Sequence, residues 1–384
     1  MRTSRLGGVA VSLAAALAIA ACGSSNSSSS SASAGGGGST GTSSASGGSS
    51  SGGSVSGGTL NGAGSTLAQP IYQQWGSNLK SKGLTVNFNG VGSGAGVADL
   101  QTATVDFAGS DPALKAEDKK AMKGDVLQFP VAFGAITVSY NLPGIKSGLK
   151  LDGPTTANIF SGKIKTWNDP AIKALNPGMN LPSTNITVVH RSDSSGTTAG
   201  FTKWLSAVSP SWASSIGSDK DVKWPTGTGA AKNSGVAAAV KQTQGAVGYI
   251  EQAYALLNGF TYAAIKNSSG KYIEPTIANT SAAAVGITVP PDLGISTINS
   301  SGADAYPIVS QTFLDVYKDP CKDGKESSST AKALHSFLAY AFGAGQQTLG
   351  EGQNKLPYAP LPSDLAAKDN TQLGTMTCNG SAIS

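Results

Sequence analysis

The segment His190–Thr198, with sequence HRSDSSGTT, holds the densest group of polar side chains that could bind a ligand. The β-branched run Ile186–Val189 precedes it, and apolar residues at helical spacing within Phe201–Leu205 follow it. This order predicts a strand, a tight turn and a helix start. Free N–H groups at a helix start favour anions, and the planar guanidinium of Arg191 matches a tetrahedral oxyanion. The segment therefore predicts an oxyanion site, although an ordinary Ser/Thr-capped helix has the same pattern.

Two further turns, Gly64-Ser65-Thr66 and Gly92-Ser93-Gly94, share this design of a strand, small polar residues and a helix. In a parallel α/β sheet such turns lie together at the carboxyl ends of the strands, where ligands bind. Glycine lets backbone N–H groups approach an oxygen closely, and hydroxyls add uncharged donors. Ser65, Thr66 and Ser93 could each simply cap a helix, but three such turns and one arginine favour a shared anion site.

The carboxylate of Asp111, at the end of a predicted strand, narrows the class of anion. A carboxylate beside an anion repels it unless the ligand has a proton to donate. Hydrogen phosphate has such a proton at neutral pH, and sulfate does not. Asp111 therefore favours phosphate over sulfate, unless it is only a turn or capping residue before Pro112.

Other residues near Arg191 have alternative roles. Asp193 either holds the guanidinium plane toward the ligand or caps the following helix. Ser195 would be the nucleophile of a secreted phosphatase or serine hydrolase. However, His190 and His335 are the only histidines, and His190 lies in strand alternation, so we expect it to be structural.

Strands and helices alternate along the body of the chain, which predicts an α/β fold. Residues 59–110 predict a β-α-β-α-β start, with a glycine turn at Gly92–Gly96 and a helix from Val97. The long runs Leu127–Tyr140 and Tyr306–Tyr317 are predicted to pass between two domains. Ser329–Phe342 is predicted to be a terminal amphipathic helix.

The N-terminus resembles a bacterial lipoprotein signal, with a basic start at Met1–Arg5, the apolar run Val9–Ala20 and small residues before Cys22. The resemblance implies that residues 1–21 are a signal peptide, cleaved before Cys22, and that lipid is attached to the Cys22 sulfur. A plain secretory signal is the alternative. Residues 22–58 are almost entirely small and polar, which predicts a flexible tether.

Composition excludes several classes of protein. The formal net charge is +5 but only 13% of the residues are charged, so the strong basic field of a nucleic-acid binder is missing. With two histidines and no C-x-x-C pair, we expect no metal site and no cofactor. Besides Cys22 the cysteines are Cys321 and Cys378, and outside the cytoplasm such a pair suggests one disulfide. It would tie the C-terminal tail to the loop after Lys318.

Several stretches of the body are similar to the periplasmic phosphate-binding protein family of bacterial phosphate ABC transporters. They are Gly62–Thr66, Gly92–Gly94, Val105–Asp111, Gly162–Trp167, Arg191–Thr197, Val222–Pro225 and Gly245–Glu251. Residues 281–301 and the cysteine-bearing tail match this family poorly, and Leu67 stands where many of its members have phenylalanine.

The resemblance implies one phosphate site and a role for each of its residues. Asp111 would accept the proton of the ligand, and Asp193 would orient Arg191. The residues that contact phosphate would be Ser65, Thr66, the N–H group of Leu67, Ser93, Asp111, Arg191, Ser195, Gly196 and Thr197.

The resemblance also implies a two-domain, hinge-closing periplasmic-binding-protein fold of type II, in which each domain is a central sheet flanked by helices. We expect residues 59–133 and 305–384 to form domain I, and residues 134–304 to form domain II. The expected protein is a monomeric receptor, not an enzyme. It would lie outside the cytoplasmic membrane, held there by lipid on Cys22, and deliver inorganic phosphate to the permease subunits of an ABC transporter.

Three alternative functions stay open at this point. A receptor for sulfate or molybdate would share the anion turns, although Asp111 argues against it. A hydrolase would use Ser195 but lacks a histidine partner. An adhesion or cell-wall protein fits the tether but not the three anion turns.

Overall fold

The computed structural model of the protein describes residues 55–383. The predicted signal peptide 1–21, the lipidated Cys22 and the tether as far as residue 54 lie outside the described residues. Within 55–383, no helix is both long enough and apolar enough to cross a membrane.

Residues 55–383 form thirteen β-strands, eleven of them in one large sheet. The strands are β1 (Gly58–Gly64), β2 (Leu84–Gly90), β3 (Phe107–Ser110), β4 (Val126–Tyr140), β5 (Leu149–Leu151), β6 (Thr187–Arg191), β7 (Thr228–Ala230), β8 (Ala246–Glu251), β9 (Thr261–Lys266), β10 (Tyr272–Ile273), β11 (Val309–Tyr317), β12 (Thr377–Cys378) and β13 (Ser381–Ala382).

The same residues form twelve α-helices and one 3-10 helix, Ala344–Thr348. The α-helices are α1 (Gln69–Lys80), α2 (Ser93–Thr102), α3 (Ala116–Lys120), α4 (Gly153–Phe160), α5 (Pro170–Leu175), α6 (Gly196–Val208), α7 (Pro210–Ser215), α8 (Lys232–Gln242), α9 (Gln252–Leu257), α10 (Ile277–Ala282), α11 (Ser328–Phe342) and α12 (Ser363–Leu373).

The large sheet has the order β2-β1-β3-β11-β4-β8-β6-β7, with β9 pairing to β4 beside this path. Strand β1 is parallel to β2 and β3, and β6 is parallel to β7 and β8. Strands β4 and β11 run antiparallel to their neighbours. The predicted β-α-β-α-β start is therefore confirmed, and parallel strands end together at two places in the sheet.

The 15-residue strand β4 joins two regions of this sheet. Its residues 126–135 pair with β11, and its residues 136–140 pair with β8. We define the first sheet region as β1, β2, β3, β11 and residues 126–135 of β4, and the second as β6, β7, β8, β9 and residues 136–140 of β4. The domain boundaries expected from the sequence stay a prediction.

Buried aromatic side chains fill the core on both sides of β4. In the first sheet region, Phe107 packs between Tyr72 of α1 and Phe337 of α11, with ring centroids 6.0 and 5.2 Å apart. In the second, Tyr249 of β8 stacks on Phe201 of α6 at 4.6 Å. These helices lie against the sheet because their apolar residues recur at helical spacing.

Some local predictions were wrong. Gly92–Gly96 is not a turn before a helix, because α2 already begins at Ser93 and only Gly92, at φ +99°, makes the turn. The run from Val105 to Ser110 predicts a strand, but β3 begins only at Phe107, and the side chain of Asp106 instead accepts a hydrogen bond from Asn61 N.

The C-terminal tail is attached to the segment that follows β11. Cys321 and Cys378 form a disulfide across a sequence separation of 57 residues. The loop that it closes contains α11, α12 and Tyr358, whose hydroxyl reaches the turn after β1.

Candidate functional site

The turn Ser65–Leu67, which follows β1, is buried and internally hydrogen-bonded. We call it the first turn. Ser65 Oγ accepts hydrogen bonds from the backbone N atoms of Leu67 and Ala68 at 3.1 and 3.2 Å. Ser65 therefore closes the turn before α1 rather than capping that helix, whose cap residue Ala68 has no side-chain hydrogen bond, and it already holds the Leu67 N–H group. The hydroxyl of Thr66, which is 2% exposed, points instead toward the second sheet region.

Ser93 begins α2 and lies against the end of β3. Its Oγ is 3.4 Å from Asp111 Oδ2 and accepts a hydrogen bond from Asp111 N at 3.2 Å. Gly92 occupies the cap position of α2 without a side-chain hydrogen bond, so the helix start keeps free N–H groups. This arrangement places a hydroxyl and the positive end of a helix beside one carboxyl group.

Asp111 follows β3 and is 1% exposed. Burial raises the pKa of its carboxyl from 3.8 to about 6, although hydrogen bonds from Ser65, Thr312 and Ser93 and the charge of Arg191 act in the opposite direction. Thr312 Oγ1 donates to Asp111 Oδ1 at 3.2 Å from the neighbouring strand β11. At neutral pH Asp111 is therefore an ionised acceptor in a dry site.

Arg191 ends β6 and is 4% exposed. Its Nε donates to Asp193 Oδ1 at 2.7 Å, and its Nη2 donates to Asp193 Oδ2. Burial alone would raise the pKa of Asp193, but the hydrogen bonds and charge of Arg191 outweigh it and lower that pKa. Tyr249 Oη accepts from Arg191 N at 2.8 Å, which fixes the backbone below the guanidinium.

Residues 195–197 start α6 beside Arg191. Ser195 Oγ caps the helix by accepting from Thr198 N at 3.1 Å, so the capping alternative holds for this hydroxyl. Thr197 Oγ1 accepts from Arg191 Nη1 at 3.3 Å. Because Gly196 has no side chain, the start of α6 can approach Asp111 closely.

The two sheet regions meet at this site. A Cβ atom on Gly196 would overlap the backbone O and Oδ2 of Asp111, and Gly94 N donates to Ser194 O at 3.2 Å. Arg191 is close enough to act on the charge of Asp111. The structure therefore places the guanidinium and the carboxylate at one site rather than on opposite faces.

Asn233, at the start of α8, is a site residue that the sequence analysis did not identify. Its Nδ2 donates to Thr66 Oγ1 at 3.0 Å and to Thr197 Oγ1 at 3.1 Å, so one amide links the two sheet regions. Its Oδ1 accepts from Glu251 N at 3.0 Å. The only signal in the sequence was an asparagine just before the apolar run Val236–Val240, a position that usually indicates a helix cap.

The site offers many donors and one ionised acceptor, which suits an anion that bears a proton. Arg191, the hydroxyls and two helix starts supply the donors, and Asp111 supplies the acceptor. His190 is not placed as a base for Ser195, because its ring stacks on Trp224 and its Nδ1 lies 2.9 Å from Arg191 O. Among residues 55–383, no group of three or more His, Cys, Asp or Glu side chains could hold a metal ion.

Comparison with known proteins identifies relatives that are named as phosphate-binding proteins. A family model described as a PBP superfamily domain matches residues 17–344. The phosphate-binding protein PstS of Pasteurella multocida is 40% identical over 318 residues, which cover 82% of this chain and 89% of that protein. The phosphate-binding protein PstS of Methanocaldococcus jannaschii is 39% identical over 317 residues, 77% of this chain and 78% of that protein.

Solved structures share the fold. A high affinity periplasmic phosphate-binding protein (PfluDING), solved with bound phosphate, superposes with a TM-score of 0.65 at 24% identity. The match covers 85% of this chain and 96% of that one. A phosphate binding protein from Stenotrophomonas maltophilia has a TM-score of 0.61 at 22% identity, over 84% and 96% of the two chains. The predicted periplasmic-binding-protein fold is thereby confirmed.

Proposed function

Because this chain belongs to the PstS family of phosphate-binding proteins, we propose that it binds inorganic phosphate and delivers it to the permease of an ABC transporter. It acts as a binding protein and not as an enzyme. Its place of action is outside the cytoplasmic membrane.

The observation that carries this proposal is the single carboxylate of Asp111 among the donors of an anion site. The start of α6 lies against it at Gly196, and its own hydrogen bonds to Ser93 and Thr312 hold it in place. A fully deprotonated anion would meet Asp111 as an uncompensated like charge, whereas hydrogen phosphate donates its proton to it. This difference selects phosphate over sulfate.

Within this proposal the site residues keep the roles that the resemblance implied. Arg191 and the N–H groups at the start of α6 bind the charged oxygens, and Asp193 orients the guanidinium. The hydroxyls and N–H groups that complete the site come from Ser65, Thr66, Leu67, Ser93, Ser195, Gly196 and Thr197. The N–H group of Leu67 becomes free for the ligand when it leaves Ser65 Oγ, its partner in this structure.

Binding is coupled to closure of two domains, residues 59–133 with 305–384 and residues 134–304. Three ion pairs between the proposed domains support this part of the proposal. They are Lys115 with Asp219 at 2.8 Å, Lys119 with Asp292 at 2.7 Å and Lys220 with Asp118 at 3.2 Å. Phosphate stabilises the closed form because only that form contacts it from both sides.

The receptor is a monomer anchored to the membrane by lipid on Cys22. The short apolar run and the small residues before Cys22 support the anchor. The disulfide between Cys321 and Cys378 supports an oxidising location, which lies outside the bacterial cytoplasm. Mass spectrometry of membrane fractions tests the anchor, since a diacyl mass on an N-terminal Cys22 peptide is expected, and its absence from a Cys22→Ala variant is the control.

Titration calorimetry tests the function. Phosphate is expected to bind with a dissociation constant of about 1 μM or below, and sulfate to bind at least about a hundredfold more weakly. Mass spectrometry of the anion that copurifies with the protein gives an independent result. Equal affinity for sulfate, or turnover of p-nitrophenyl phosphate by the purified protein, would contradict the proposal.

A further inference from the structure

Glu251 is a buried carboxyl next to the site that none of the proposed phosphate contacts includes. It ends β8 and is fully buried. Its Oε2 accepts from Ala253 N at 2.9 Å and from Tyr254 N at 3.4 Å, at the start of α9. Its Oε1 has no hydrogen-bond partner within residues 55–383. Capping explains one oxygen of Glu251, but a buried ionised carboxylate with a bare second oxygen is costly.

The hydroxyl of Tyr358 faces two acceptors at once. Its Oη lies 2.7 Å from the carbonyl oxygen of Leu67 and 3.0 Å from Glu251 Oε2. A tyrosine hydroxyl carries one hydrogen and can donate it to only one of them. If it donates to Leu67, the contact with Glu251 is a hydrogen bond only when the carboxyl is the donor.

The ionised form of Glu251 leaves one of these contacts without a hydrogen. The hydroxyl hydrogen of Tyr358 would then turn to the carboxylate, and two oxygens with lone pairs would face each other at the Leu67 contact. A single proton on Glu251 gives both contacts a hydrogen. The geometry therefore favours the protonated carboxyl.

Residues around Glu251 hold the first turn in place. Tyr358 binds the carbonyl oxygen of Leu67, and Tyr254 Oη donates to the carbonyl oxygen of Thr66 at 3.1 Å. Asn233 binds the Thr66 hydroxyl while its Oδ1 accepts from the backbone N of Glu251. The position of the first turn thus depends on the hydrogen bonds that surround this carboxyl.

We propose that Glu251 is a positioning residue for the phosphate site, whose protonated carboxyl donates to Tyr358 and keeps the first turn in its binding geometry. This inference rests on the proposed function, because the first turn is taken to contact phosphate. It adds a proton-dependent element to that function, in the second sheet region.

The surroundings of Glu251 set the pH at which its carboxyl loses the proton. Burial and the charge of Asp111 raise the pKa of Glu251 from 4.5 to about 8, although hydrogen bonds from the N–H groups of Ala253 and Tyr254 act in the opposite direction. Asp111 at the end of β3, Tyr254 of α9 and Tyr358 are the titratable groups that face it. Loss of the proton would add negative charge near the bound anion and remove the donor to Tyr358.

Phosphate affinity is therefore expected to fall as the pH rises above about 8, by up to about tenfold per pH unit. The hydrogen phosphate dianion keeps its proton above pH 8, but dihydrogen phosphate loses one within the measured range, so the contribution of Glu251 is the difference between the wild-type and Glu251→Gln profiles. Calorimetric dissociation constants between about pH 6.5 and about pH 9.5 measure this profile.

Variant Glu251→Gln removes the titration. Its amide oxygen can cap α9 but leaves no donor for Tyr358, so we expect about tenfold weaker binding at neutral pH and no further loss above pH 8. Asp369→Asn is the matched control, because Asp369 is a buried carboxyl of α12 whose burial raises its pKa to about 9. This control is expected to keep the wild-type profile, whereas a Glu251→Gln profile parallel to the wild type would overturn the proposal.

A second variant covers the case in which Glu251→Gln does not fold. In Tyr358→Phe the carboxyl loses its partner. The pH midpoint of binding moves down if Glu251 is the donor, since the neutral form loses its hydrogen bond, and moves up if Tyr358 is the donor, which would contradict the proposal.

Failure of the proposed function gives a different result. If the wild-type protein does not bind phosphate at neutral pH, the proposed function is wrong. The infrared carbonyl band of protonated carboxylic acids then tests Glu251 without ligand. A component that titrates near pH 8 in the wild type and not in Glu251→Gln supports its protonation, and an unchanged band contradicts it.

Discussion

Two aspartates lie on opposite sides of the candidate site, and their surroundings give them different chemistry. Asp111, from the first sheet region, is buried among hydroxyls, and burial raises its pKa to about 6. Asp193, from the second, is held by Arg191, which more than offsets the effect of burial and lowers its pKa. Asp111 keeps lone pairs for the proposed ligand, while both oxygens of Asp193 bind the guanidinium and one also accepts from Lys232 N.

This comparison teaches that the partners of a carboxylate, rather than its residue type, decide its role. A carboxylate that meets a guanidinium through two hydrogen bonds acts as an orienting group. A carboxylate that meets only hydroxyls keeps lone pairs for a ligand that can donate a proton. Substitutions and pH changes can break or sharpen this distinction.

Arg191→Ala gives the largest expected effect, because it removes the main charged donor and leaves Asp193 without its partner. We expect phosphate affinity to fall by about 10²–10³-fold or more. Calorimetry measures this loss. Arg191→Lys is the control: it keeps the charge but loses the planar fork, so it recovers only part of the affinity. An unchanged affinity in Arg191→Ala would remove this residue from the site.

Asp111→Asn is expected to change selectivity more than affinity. The amide can donate to an oxygen of sulfate, so the ratio of phosphate to sulfate affinity falls by at least about a hundredfold. Competition in equilibrium dialysis measures this ratio. Asp369→Asn, a buried acid outside the site, should leave the ratio unchanged, and a drop there would mean that buried charge in general controls selectivity.

Acidification should imitate Asp111→Asn in the wild-type protein. The folded pKa of Asp111, about 6, lies above its usual value of 3.8, so the proton is gained below about pH 6. Rejection of sulfate should weaken by up to about tenfold per pH unit between these two values, and a selectivity that stays constant down to pH 4 would contradict this assignment. Because the folded state has the higher pKa, protonation of Asp111 favours folding. This contribution is complete below pH 3.8 and is lost as the pH rises through 6.

Asp193→Asn tests the other side of the comparison. The amide keeps one hydrogen bond to Arg191 but loses the charge, so phosphate binds about tenfold more weakly while selectivity against sulfate is retained. Calorimetry with both anions measures the two quantities. Loss of selectivity in this variant would show that the two aspartates share one role.

The exposed pair of Lys115 and Asp219 marks the smallest expected effect. Its side chains are 48% and 46% exposed, so Lys115→Ala should change phosphate affinity by less than about threefold. The difference should vanish at about 1 M salt, where charges on the surface are screened. A larger, salt-resistant loss would indicate that this contact controls closure.

The sequence predicted the parts of the site that local patterns encode. Strand, turn and helix signals placed Ser65, Ser93 and Ser195 in turns between a strand and a helix, and the α/β order implied that these turns meet at one edge. Local signals were weaker where glycines entered a helix, so the start of α2 was misplaced.

Residues that join the site through tertiary contacts left no such signal. Asn233 meets Thr66 across 167 positions, Thr312 meets Asp111 across 201, and Tyr358 meets Leu67 across 291. Each of these contacts depends on strand order and on the packing of the C-terminal segment, which spacing along the chain does not reveal.

The missing side chain at position 196 lets the start of α6 pack directly against Asp111 and Ser93. A methyl group there would overlap Asp111 and Ser93, so an alanine would act as a wedge between the two halves of the binding cleft. Such a substitution would leave each half folded, but the anion would be contacted from one side only. Under the proposed closure, this glycine therefore sets how closely the two halves can approach phosphate.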